Sequence, residues 1–598
     1  MKGIRKNRYL KAKYWLSGLI LFSVIACFVL YLSSGNLAQD EAKIRPAPIN
    51  PEFLEYIQGL KLEKWPKYTE EGHPLGLKPS PLNIFYRSSL RSISQTELAP
   101  IKKESLPASY DLRGRGKLTP IRNQRNCGSC WAFASYGSLE SFLLPSETWD
   151  FSEQNLIDHH GFDWEPCEGG DIFMATAYLA RWEGPLKEED DPYRQPFLSA
   201  LKARKHVQTV LYIPSRNDSL DNDLLKQAVK KYGAVYTTMY FAGSCYNSSY
   251  KAFYNEDIEK GGHAVAIVGW DDNFDKTKFK TTPPGNGAFI ARNSWGKNWG
   301  ESGYFYVSYY DSYFGREMNA VLTAEPTSGY IDIYQYDTLG WTWSLGYGSE
   351  TAWMANIFTA ASNNPLIAVS FYAAGSSNSY EIFIYTDVSD EQPRSGLLVR
   401  KEEGVLTSPG YFTIPLKVGV ALKQAQRFSV VLKLKTEDYS YPIPIEYPFR
   451  NYSSLAQAEA GQSFISSNGS SWNDLHTSWK GEFANSNVCL KAFTGLPPLY
   501  PPANFKLERV ENNFIFFREY INRLSWKANA KNKIKINSYR LYRKPKEASE
   551  QAYQLLDELR PSVFSYDDRG LKKDEFYAYR ISAVDELGRE SDPAEVSN

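Results

Sequence analysis

Two cysteines lie close together in the segment Cys127-Gly-Ser-Cys130-Trp131, and Gln124 stands six residues before the second of them. An ionised thiol is a strong nucleophile, and a side-chain amide can stabilise the oxyanion that forms when a carbonyl is attacked. The same cysteine spacing also occurs in redox dithiols. The proline- and glycine-rich lead-in 113–120 does not fit the βαβ unit that a redox dithiol needs, so we favour a nucleophile.

A nucleophilic thiol needs a base that takes its proton and holds the resulting charge. Apolar residues recur at near-helical spacing between Cys130 and Pro145, which predicts a helix whose N-terminal dipole favours the Cys130 thiolate. The candidate base is His263, which lies 133 residues after Cys130 in an apolar, strand-like segment. Asn293 is the candidate partner that accepts a hydrogen bond from the second ring nitrogen of this histidine.

The segments that contain these residues resemble the active-site motifs of the papain family of cysteine peptidases. In chain order they are 124–131, 167–170, 261–270 and 291–296. The resemblance implies an α+β papain-like catalytic domain with a helix-bearing lobe, a strand-bearing lobe and an active site in the cleft between them. It also implies a hydrolase that uses neither a cofactor nor a metal ion.

The resemblance assigns a role to each residue. Cys130 and His263 would form a thiolate–imidazolium pair that cleaves peptide bonds through a covalent acyl-enzyme. Asn293 would orient the imidazole, and the Gln124 amide would stabilise the oxyanion together with the backbone N–H of Cys130. Seven further residues would contact substrate or shield the site, with an apolar preference in the pocket for the second residue before the cut. They are Gly169, Gly170, Trp131, Trp295, Ile172, Thr238 and Ala264.

Five cysteines follow the N-terminal apolar run, so at least one stays unpaired unless a cysteine bonds to another chain. The resemblance implies a disulfide between Cys127 and Cys167. Cys245 and Cys489 could form a second disulfide or remain thiols, and the sequence leaves both possibilities open.

A pair of histidines, His159 and His160, follows Asp158 at the end of a predicted helix. No second pair of metal ligands accompanies them. We therefore interpret them as a solvated helix end and not as a metal site.

The N-terminus predicts export. Several basic residues precede an uncharged apolar run from Trp15 to Leu32, which just reaches the length of a membrane-spanning helix. An uncleaved signal anchor is favoured over a cleaved signal peptide, and a lipid-modified Cys27 is a further reading. The basic flank would stay in the cytoplasm and the catalytic domain outside it, in the periplasm or at the cell surface, or secreted if the signal is cleaved.

We divide the chain into five regions. A signal anchor or signal peptide occupies 1–38, a pro-segment or linker 39–105 and the papain-like domain 106–324. Alternating apolar and polar residues then predict two all-β sandwich domains, one similar to a lectin-like domain at 327–496 and one resembling a fibronectin type III module at 500–598. In the first sandwich, exposed tryptophans could stack on sugars or, as we favour, fill the core. They are Trp341, Trp343 and Trp353.

The function that follows is an exported cysteine endopeptidase whose β domains position it on a surface or substrate. The expected partners are protein or peptide substrates, a carbohydrate or cell-surface ligand of the lectin-like domain, and the membrane through the N-terminal helix. Equal numbers of acidic and basic residues, 68 each, argue against nucleic acid. The alternative is a surface adhesin with an inert peptidase-like domain.

Overall fold

The computed structural model describes residues 43–83, 106–194 and 202–597, except 390, 497, 498, 515–517, 533 and 587. The chain divides into two units, Met1–Ile44 and Arg45–Asn598, and every contact below lies within the second. The predicted signal anchor and Cys27 lie outside the described residues. Among those that are described, none of the helices has both the length and the apolar character to cross a membrane.

The catalytic region has one helix-bearing and one strand-bearing lobe, and the predicted papain-like fold is confirmed. Its α-helices are Cys130–Leu143, Glu153–His159, Ile172–Ala180 and Asp223–Tyr232. Its strands are Ser109–Asp111, Lys205–Ile213, Val235–Tyr240, Tyr246–Asn247, Ala252–Phe253, Gly262–Asp271, Ala288–Arg292, Tyr304–Ser308 and Asn319–Pro326.

The helix Cys130–Leu143 runs through the interior, and nearly every one of its side chains is buried. A helix that is apolar or small on all sides is suited to such a position. It ends where Leu144 precedes Pro145, because a residue before proline disfavours the helical conformation. The predicted helix start at Cys130 is confirmed, and it puts that residue at the edge of the strand-bearing lobe.

Two neighbouring strands of the second lobe carry the other candidate residues. Gly262–Asp271 pairs antiparallel with Ala288–Arg292, with Ala266 opposite Arg292. The start of the first strand therefore lies beside the end of the second. His263 and Asn293, which flank this pairing, are brought to the same end of the sheet.

Residues 333–494 form a β-sandwich, as predicted. Its strands are Ile333–Tyr334, Trp343–Gly346, Thr351–Thr359, Leu366–Ala373, Asn378–Thr386, Leu397–Leu406, Gly410–Val420, Arg427–Thr436, Ile443–Glu446, Ser463–Ser466, Asn473–Asp474, Asn487–Val488 and Leu490–Thr494. One of its sheets continues into the catalytic region, since Gly410–Val420 pairs with Lys205–Ile213. The two regions therefore share backbone hydrogen bonds.

The three tryptophans of this sandwich differ in exposure. Trp341 is fully buried at the junction with the catalytic region, where its ring packs against Phe173 and Tyr372. Trp343 and Trp353 are half-buried. Trp341 is therefore a core residue, as we expect from the sequence, whereas Trp343 and Trp353 are only partly in the core.

A separate sandwich follows from residue 499 onward. Its strands are Ala503–Asn513, Arg518–Lys527, Ile536–Pro545, Gln554–Leu559, Ser565–Leu571, Tyr577–Asp585 and Ala594–Ser597. Trp526, Tyr539 and Tyr579 fill its core. The all-β prediction is confirmed here, and the likeness to a fibronectin type III module stays a prediction.

The segment 45–83, which we call the pro-segment, begins on the lectin-like sandwich. Arg45–Pro46 pairs as a short strand with Trp343–Gly346. The predicted short helix spans Pro51–Ile57, and the Asn50 side chain caps it by accepting from the Glu52 N–H at 3.0 Å. A 3-10 turn at Leu62–Lys64 then leads the chain into the cleft of the catalytic region.

Candidate active site

Cys130 lies at the first turn of the central helix and is completely buried. Its Sγ atom accepts a hydrogen bond from the Ala264 backbone N–H at 3.4 Å. Ala264 follows His263 directly, so this contact places the thiol beside the start of the strand that carries the histidine. The structure thus brings Cys130 and His263 together from positions far apart in the sequence.

The His263 ring is held by two neighbours. Its Nε2 is 2.8 Å from Asn293 Oδ1, and Trp295 stacks on it with ring centroids 4.7 Å apart. Its Nδ1 has no hydrogen-bond partner among the residues described, which leaves that nitrogen for the thiol side. Since Asn293 Oδ1 can only accept, it favours the tautomer with the proton on Nε2. Trp295 shields the pair, as the sequence predicts.

Gln124 is buried and fixed by three hydrogen bonds. Its backbone N–H donates to the Ser294 carbonyl at 2.8 Å, and its Oε1 accepts from Ser294 Oγ at 2.6 Å. Its Nε2 donates to the Cys127 carbonyl at 2.8 Å. One amide hydrogen remains for another acceptor, so the side chain could donate to an oxyanion near Cys130.

The Cys127–Cys167 disulfide is present, and its two cysteines are separated by 40 positions in the sequence. Cys130, Cys245 and Cys489 are free thiols, so of the two possibilities left open for Cys245 and Cys489 the structure has the unpaired one. The disulfide fixes the loop that carries Gly169 and Gly170 against the Cys130 segment. Closing a loop of that length should stabilise the fold by about 4 kcal/mol.

The pro-segment occupies the substrate side of this loop. The Gly170 N–H donates to the Gly76 carbonyl at 2.9 Å, and the Lys78 N–H donates to the Gly170 carbonyl at 3.1 Å. A Cβ atom at Gly169, where φ is +125°, would lie 2.6 Å from the Gly76 oxygen. The glycine therefore permits the close backbone approach that its position predicts, and the strand that uses it here belongs to the same chain.

Gly76 passes directly over the thiol. Its backbone N–H and that of Trp131 favour the ionised form of Cys130, as does the Ala264 N–H that is hydrogen-bonded to Sγ. A Cβ atom at Gly76 would overlap the Gly128 carbonyl, so only glycine fits at this crossing.

Burial keeps both members of the pair uncharged. It raises the pKa of the Cys130 thiol to about 11, although three backbone N–H groups and Lys78 act in the opposite direction. It lowers the pKa of His263 to about 4, against the effect of the hydrogen bond to Asn293. Both groups are therefore neutral at pH 7 in this covered state.

A cavity of about 260 Å³ lies beside the thiol and is lined in part by Ile172 and Thr238. The sequence predicts these two residues for the pocket of the second substrate residue. Ala264 does not line this cavity, and it contributes its backbone N–H to Cys130 instead. Trp131 is buried beneath Gly170, so it supports that residue from below.

Glu317 is a residue of this cavity that the sequence does not reveal. Its side chain is half-buried, and Thr238 Oγ1 donates to the carboxyl group at 3.4 Å. Burial and the nearby Glu52 of the pro-segment raise the pKa of Glu317 to about 8. No motif marks this glutamate, since it reaches the cavity only through the turn that precedes the strand Asn319–Pro326.

Three pro-segment residues at the site were also missed. His73 stacks on the outer face of Trp295 with centroids 4.5 Å apart, and the Leu77 N–H donates to the Gly262 carbonyl at 3.2 Å. Lys78 is buried beside Gly169, and burial lowers its pKa to about 8. The many prolines of the segment favour an extended chain, and they give no information about where it lies.

The prediction for the histidine pair is wrong in part. His160 is buried, its Nδ1 accepts from the Phe162 N–H at 2.9 Å, and its ring packs edge-on against Trp131 at 6.0 Å. It is therefore a structural residue of the core and not part of a solvated helix end. No group of potential metal ligands occurs among the residues described.

Family models match two regions of the chain. Residues 106–324 match the papain family of cysteine proteases, and residues 333–494 match a lectin-like domain. Zingipain-2 from Zingiber officinale is 31% identical over 219 residues, which are 34% of this chain and 87% of that protein. The probable cysteine protease RD19B from Arabidopsis thaliana is 31% identical over 230 residues, 35% of this chain and 60% of that protein.

The chain spans about three fifths of the length of the first curated relatives it matches. Two solved structures of Cwp84, a surface layer associated protein of Clostridium difficile, share the fold. The cysteine protease and lectin-like domains of Cwp84 match with a TM-score of 0.62 at 24% identity, covering 76% of this chain and all of that one. A variant of Cwp84 after propeptide cleavage matches with a TM-score of 0.56 at 25% identity, covering 65% and 99%. The chain therefore belongs to the papain family of cysteine proteases and carries a lectin-like domain.

Proposed function

We propose that the chain is an exported cysteine endopeptidase that is latent while its pro-segment covers the cleft. The observation that carries the proposal is the joint burial of Cys130, His263, Asn293 and Gln124 at one point beneath Gly76. Each of the four has the residue type and the neighbours that its role requires. An adhesin with an inert peptidase-like domain would have no need for all four catalytic residue types beneath a segment that can be removed.

The reaction follows from the positions of the atoms. His263 Nδ1 takes the proton of the Cys130 thiol, and the sulfur attacks the scissile carbonyl carbon to form an acyl-enzyme. Asn293 Oδ1 keeps the proton on Nε2 and holds the ring in place. Gln124 Nε2 and the Cys130 backbone N–H receive the negative charge of the oxyanion, where loss of one donor typically costs about 3 to 4 kcal/mol. Water then hydrolyses the thioester with the same histidine as base.

Endopeptidase action is supported by the path of the pro-segment. Leu75 and Leu77 lie on either side of Gly76, and both are buried in the cleft. A chain that passes over the thiol and continues in both directions needs a cleft that is open at both ends. A substrate could therefore be cut within its length.

The cavity beside the thiol supports a preference that goes beyond an apolar side chain. Ile172 offers an apolar wall, and Glu317 with Thr238 offers acceptors at the floor. When the pro-segment leaves, Glu317 loses the neighbouring Glu52 and part of its burial. Its ionised form would then favour a long cationic side chain with an apolar stem.

Export and targeting rest on the sequence and on the neighbouring domain. The basic, then apolar N-terminus favours export, and the lectin-like sandwich offers a means of placing the peptidase on a surface. A carbohydrate ligand would be recognised by exposed aromatic faces. Partly exposed Trp353 is a candidate, since it stacks on Phe383 at 5.6 Å.

An epoxide that alkylates cysteine peptidases irreversibly tests the proposal. After removal of the pro-segment, the wild-type chain should incorporate one equivalent at Cys130 and cleave casein. The Cys130→Ala variant should do neither. A processed wild-type chain that neither labels nor cleaves would favour the adhesin.

A further inference from the structure

The lectin-like sandwich contains a buried cluster of ionisable groups that the peptidase mechanism does not use. Lys491 Nζ lies 2.8 Å from Asp337 Oδ2 and donates to the backbone carbonyl of Asp337 at 2.9 Å. Only 2% of the lysine side chain and none of the aspartate side chain is exposed. The two residues are brought together because the strand Leu490–Thr494 pairs with Ile333–Tyr334, just before Asp337.

Glu446 is the third member of the cluster. It ends the strand Ile443–Glu446 and is completely buried. Its Oε1 accepts from the Leu339 N–H at 2.6 Å, and its Oε2 accepts from Asn487 Nδ2 at 3.2 Å. These bonds fix the carboxyl group beside the turn that carries Asp337. Burial, with the nearby Asp337, raises the pKa of Glu446 to about 7.

A buried ion pair stabilises a fold only when hydrogen bonds satisfy its remaining donors and acceptors. Neither carboxylate oxygen of Asp337 receives a well-directed hydrogen bond from the described residues. Burial raises the pKa of Asp337, against the effect of Lys491. A protonated carboxyl group beside an amine is the reactive combination for amide formation, and an amide removes both charges from the core.

From this juxtaposition of Lys491 Nζ and the Asp337 carboxyl group in a buried core, we infer that Lys491 and Asp337 condense to an intramolecular isopeptide bond. The chemistry needs no other reagent. An ammonium and a carboxylate give a secondary amide and one water molecule.

The protons and bonds balance as follows. One ammonium proton passes from Lys491 Nζ to Asp337 Oδ2, 2.8 Å away, which leaves a neutral amine beside a carboxylic acid. The nitrogen attacks Cγ, and the N–C bond forms. A second proton passes from the nitrogen to the departing hydroxyl, which leaves as water while the Cγ–O bond breaks. The third proton stays on the amide nitrogen.

The neighbouring thiol does not compete for the same carbonyl. Cys489 lies two residues before Lys491, in the bend that precedes the strand Leu490–Thr494. Burial and the nearby acidic groups raise the pKa of Cys489 well above its usual value. The thiol therefore stays protonated, and a thiol is a weak nucleophile.

The bond would tie the sandwich together beside the catalytic region. Asp337 and Lys491 are 154 residues apart, and the residue after Asp337 already contacts that region through Arg181 Nη1, which donates to the Thr338 carbonyl at 2.9 Å. A covalent link at this point would hold the turn that receives Arg181. It would leave the peptidase site untouched.

Tryptic mapping of the reduced, full-length protein tests the inference. Trypsin does not cut after an acylated lysine, so the expected product is a branched peptide joining 317–394 to 481–506. Its mass should be lower than the sum of the two peptides by one water. The ion pair of Lys433 and Glu381 is a matched control. Its Nζ–Oε1 distance is similar, 2.7 Å, but both side chains are more exposed, so we expect no covalent bond between them. A linear peptide that ends at Lys491, with no branched product, would overturn the inference.

Variants separate the bond from the fold. Asp337→Ala removes the carboxyl group, so the branched peptide should be lost. Lys491→Arg should also lose it. Branching of the 481–506 peptide that persists in Asp337→Ala would overturn the assignment of Asp337. The peptide map of the wild-type protein tests the inference by itself. If it shows no branched peptide, the inference fails, whether or not the variants fold.

Discussion

The two parts of the pro-segment are held in different ways. The anchoring part, residues 45–58, is held mainly by side chains, since Phe53 is fully buried with its ring 5.7 Å from Phe449 and 5.4 Å from Tyr452. The covering part, residues 64–78, also has buried side chains, but it adds backbone hydrogen bonds with Gly170 and Gly262 in the cleft. We expect the first part to supply most of the binding free energy of the pro-segment, and the second part to block substrate access to Cys130.

This division has a physical reason. A segment that fills a substrate cleft by backbone hydrogen bonds resembles any peptide, so it gains little advantage over a substrate from those bonds alone. Burial of an aromatic side chain outside the cleft adds affinity that no substrate shares. The lectin-like sandwich supplies that contact, so under the proposed function it would take part in latency besides any role in targeting.

The largest effect is expected from Phe53→Ala. Truncating a fully buried phenylalanine typically costs about 3 to 5 kcal/mol, which would weaken docking of the pro-segment by at least about a hundredfold. Casein cleavage by the uncut chain should rise accordingly. Leu60→Ala is the matched control, because 52% of Leu60 is exposed in the same segment. Equal activity of the two variants would contradict the anchoring role.

A smaller effect is expected from Gly76→Ala in the covering part. The added methyl group would meet the Gly128 carbonyl, and such overpacking typically costs about 1 to 3 kcal/mol. Labelling of Cys130 in the uncut chain should become faster. In the control Gly72→Ala the methyl group would meet nothing within 4 Å, although a φ of +84° adds backbone strain there that Gly76 does not have. Labelling no faster than in the wild type would show that the crossing tolerates a side chain.

Acid should loosen the covering part. Its pKa of about 4 keeps His263 neutral in the covered state, whereas an exposed histidine takes up a proton near pH 6.5. Uncovering therefore binds a proton, and docking weakens as the pH falls from about 6.5 to about 4, by up to about tenfold per unit. Glu317, with its raised pKa of about 8, acts in the opposite direction between about pH 4.5 and 8.

The pH dependence is measured as Cys130 labelling of the uncut chain between pH 4 and 7. In Glu317→Gln the opposing contribution is absent, so the increase toward acid should be steeper. A labelling rate that does not rise toward acid in either protein would contradict the role of His263. Loss of the fold at low pH is monitored separately by tryptophan fluorescence.

The smallest effect concerns the cavity between the two parts, which is lined by Glu52 of one and Leu77 of the other. With the pro-segment removed, Glu317→Gln should lower kcat/KM about tenfold for peptides with a cationic second residue, as for one lost hydrogen bond to a charged group of about 1.5 kcal/mol. Peptides with leucine at that position should be cleaved as before. An equal loss for both peptides would contradict the assigned specificity.

Local motifs explain what the sequence could predict. Cys130, His263 and Asn293 lie in short segments whose residue types and order are distinctive, and the alternation of apolar residues marks the sandwiches. The disulfide of Cys127 with Cys167 also follows from such a motif, and the structure contains it.

The remaining features depend on contacts between distant segments. Nothing near Gly76 shows that it crosses the thiol, and Glu317 becomes part of a pocket only through the fold. His160 is polar in sequence but is buried by the ring of Trp131. Lys491, Asp337 and Glu446 are separated by long stretches of chain, so their cluster has no local pattern.

The central claim is that Cys130 is a peptidase nucleophile that the pro-segment keeps neutral and covered. The most direct measurement is the rate at which the epoxide labels Cys130 before and after a specific protease cuts within 84–105 and the pro-segment dissociates, at one pH. We predict labelling at least about a hundredfold faster after removal, with a parallel rise in casein cleavage, since the pKa of the buried thiol is raised to about 11 in the covered state. Equal rates before and after removal, or labelling without cleavage, would contradict the account.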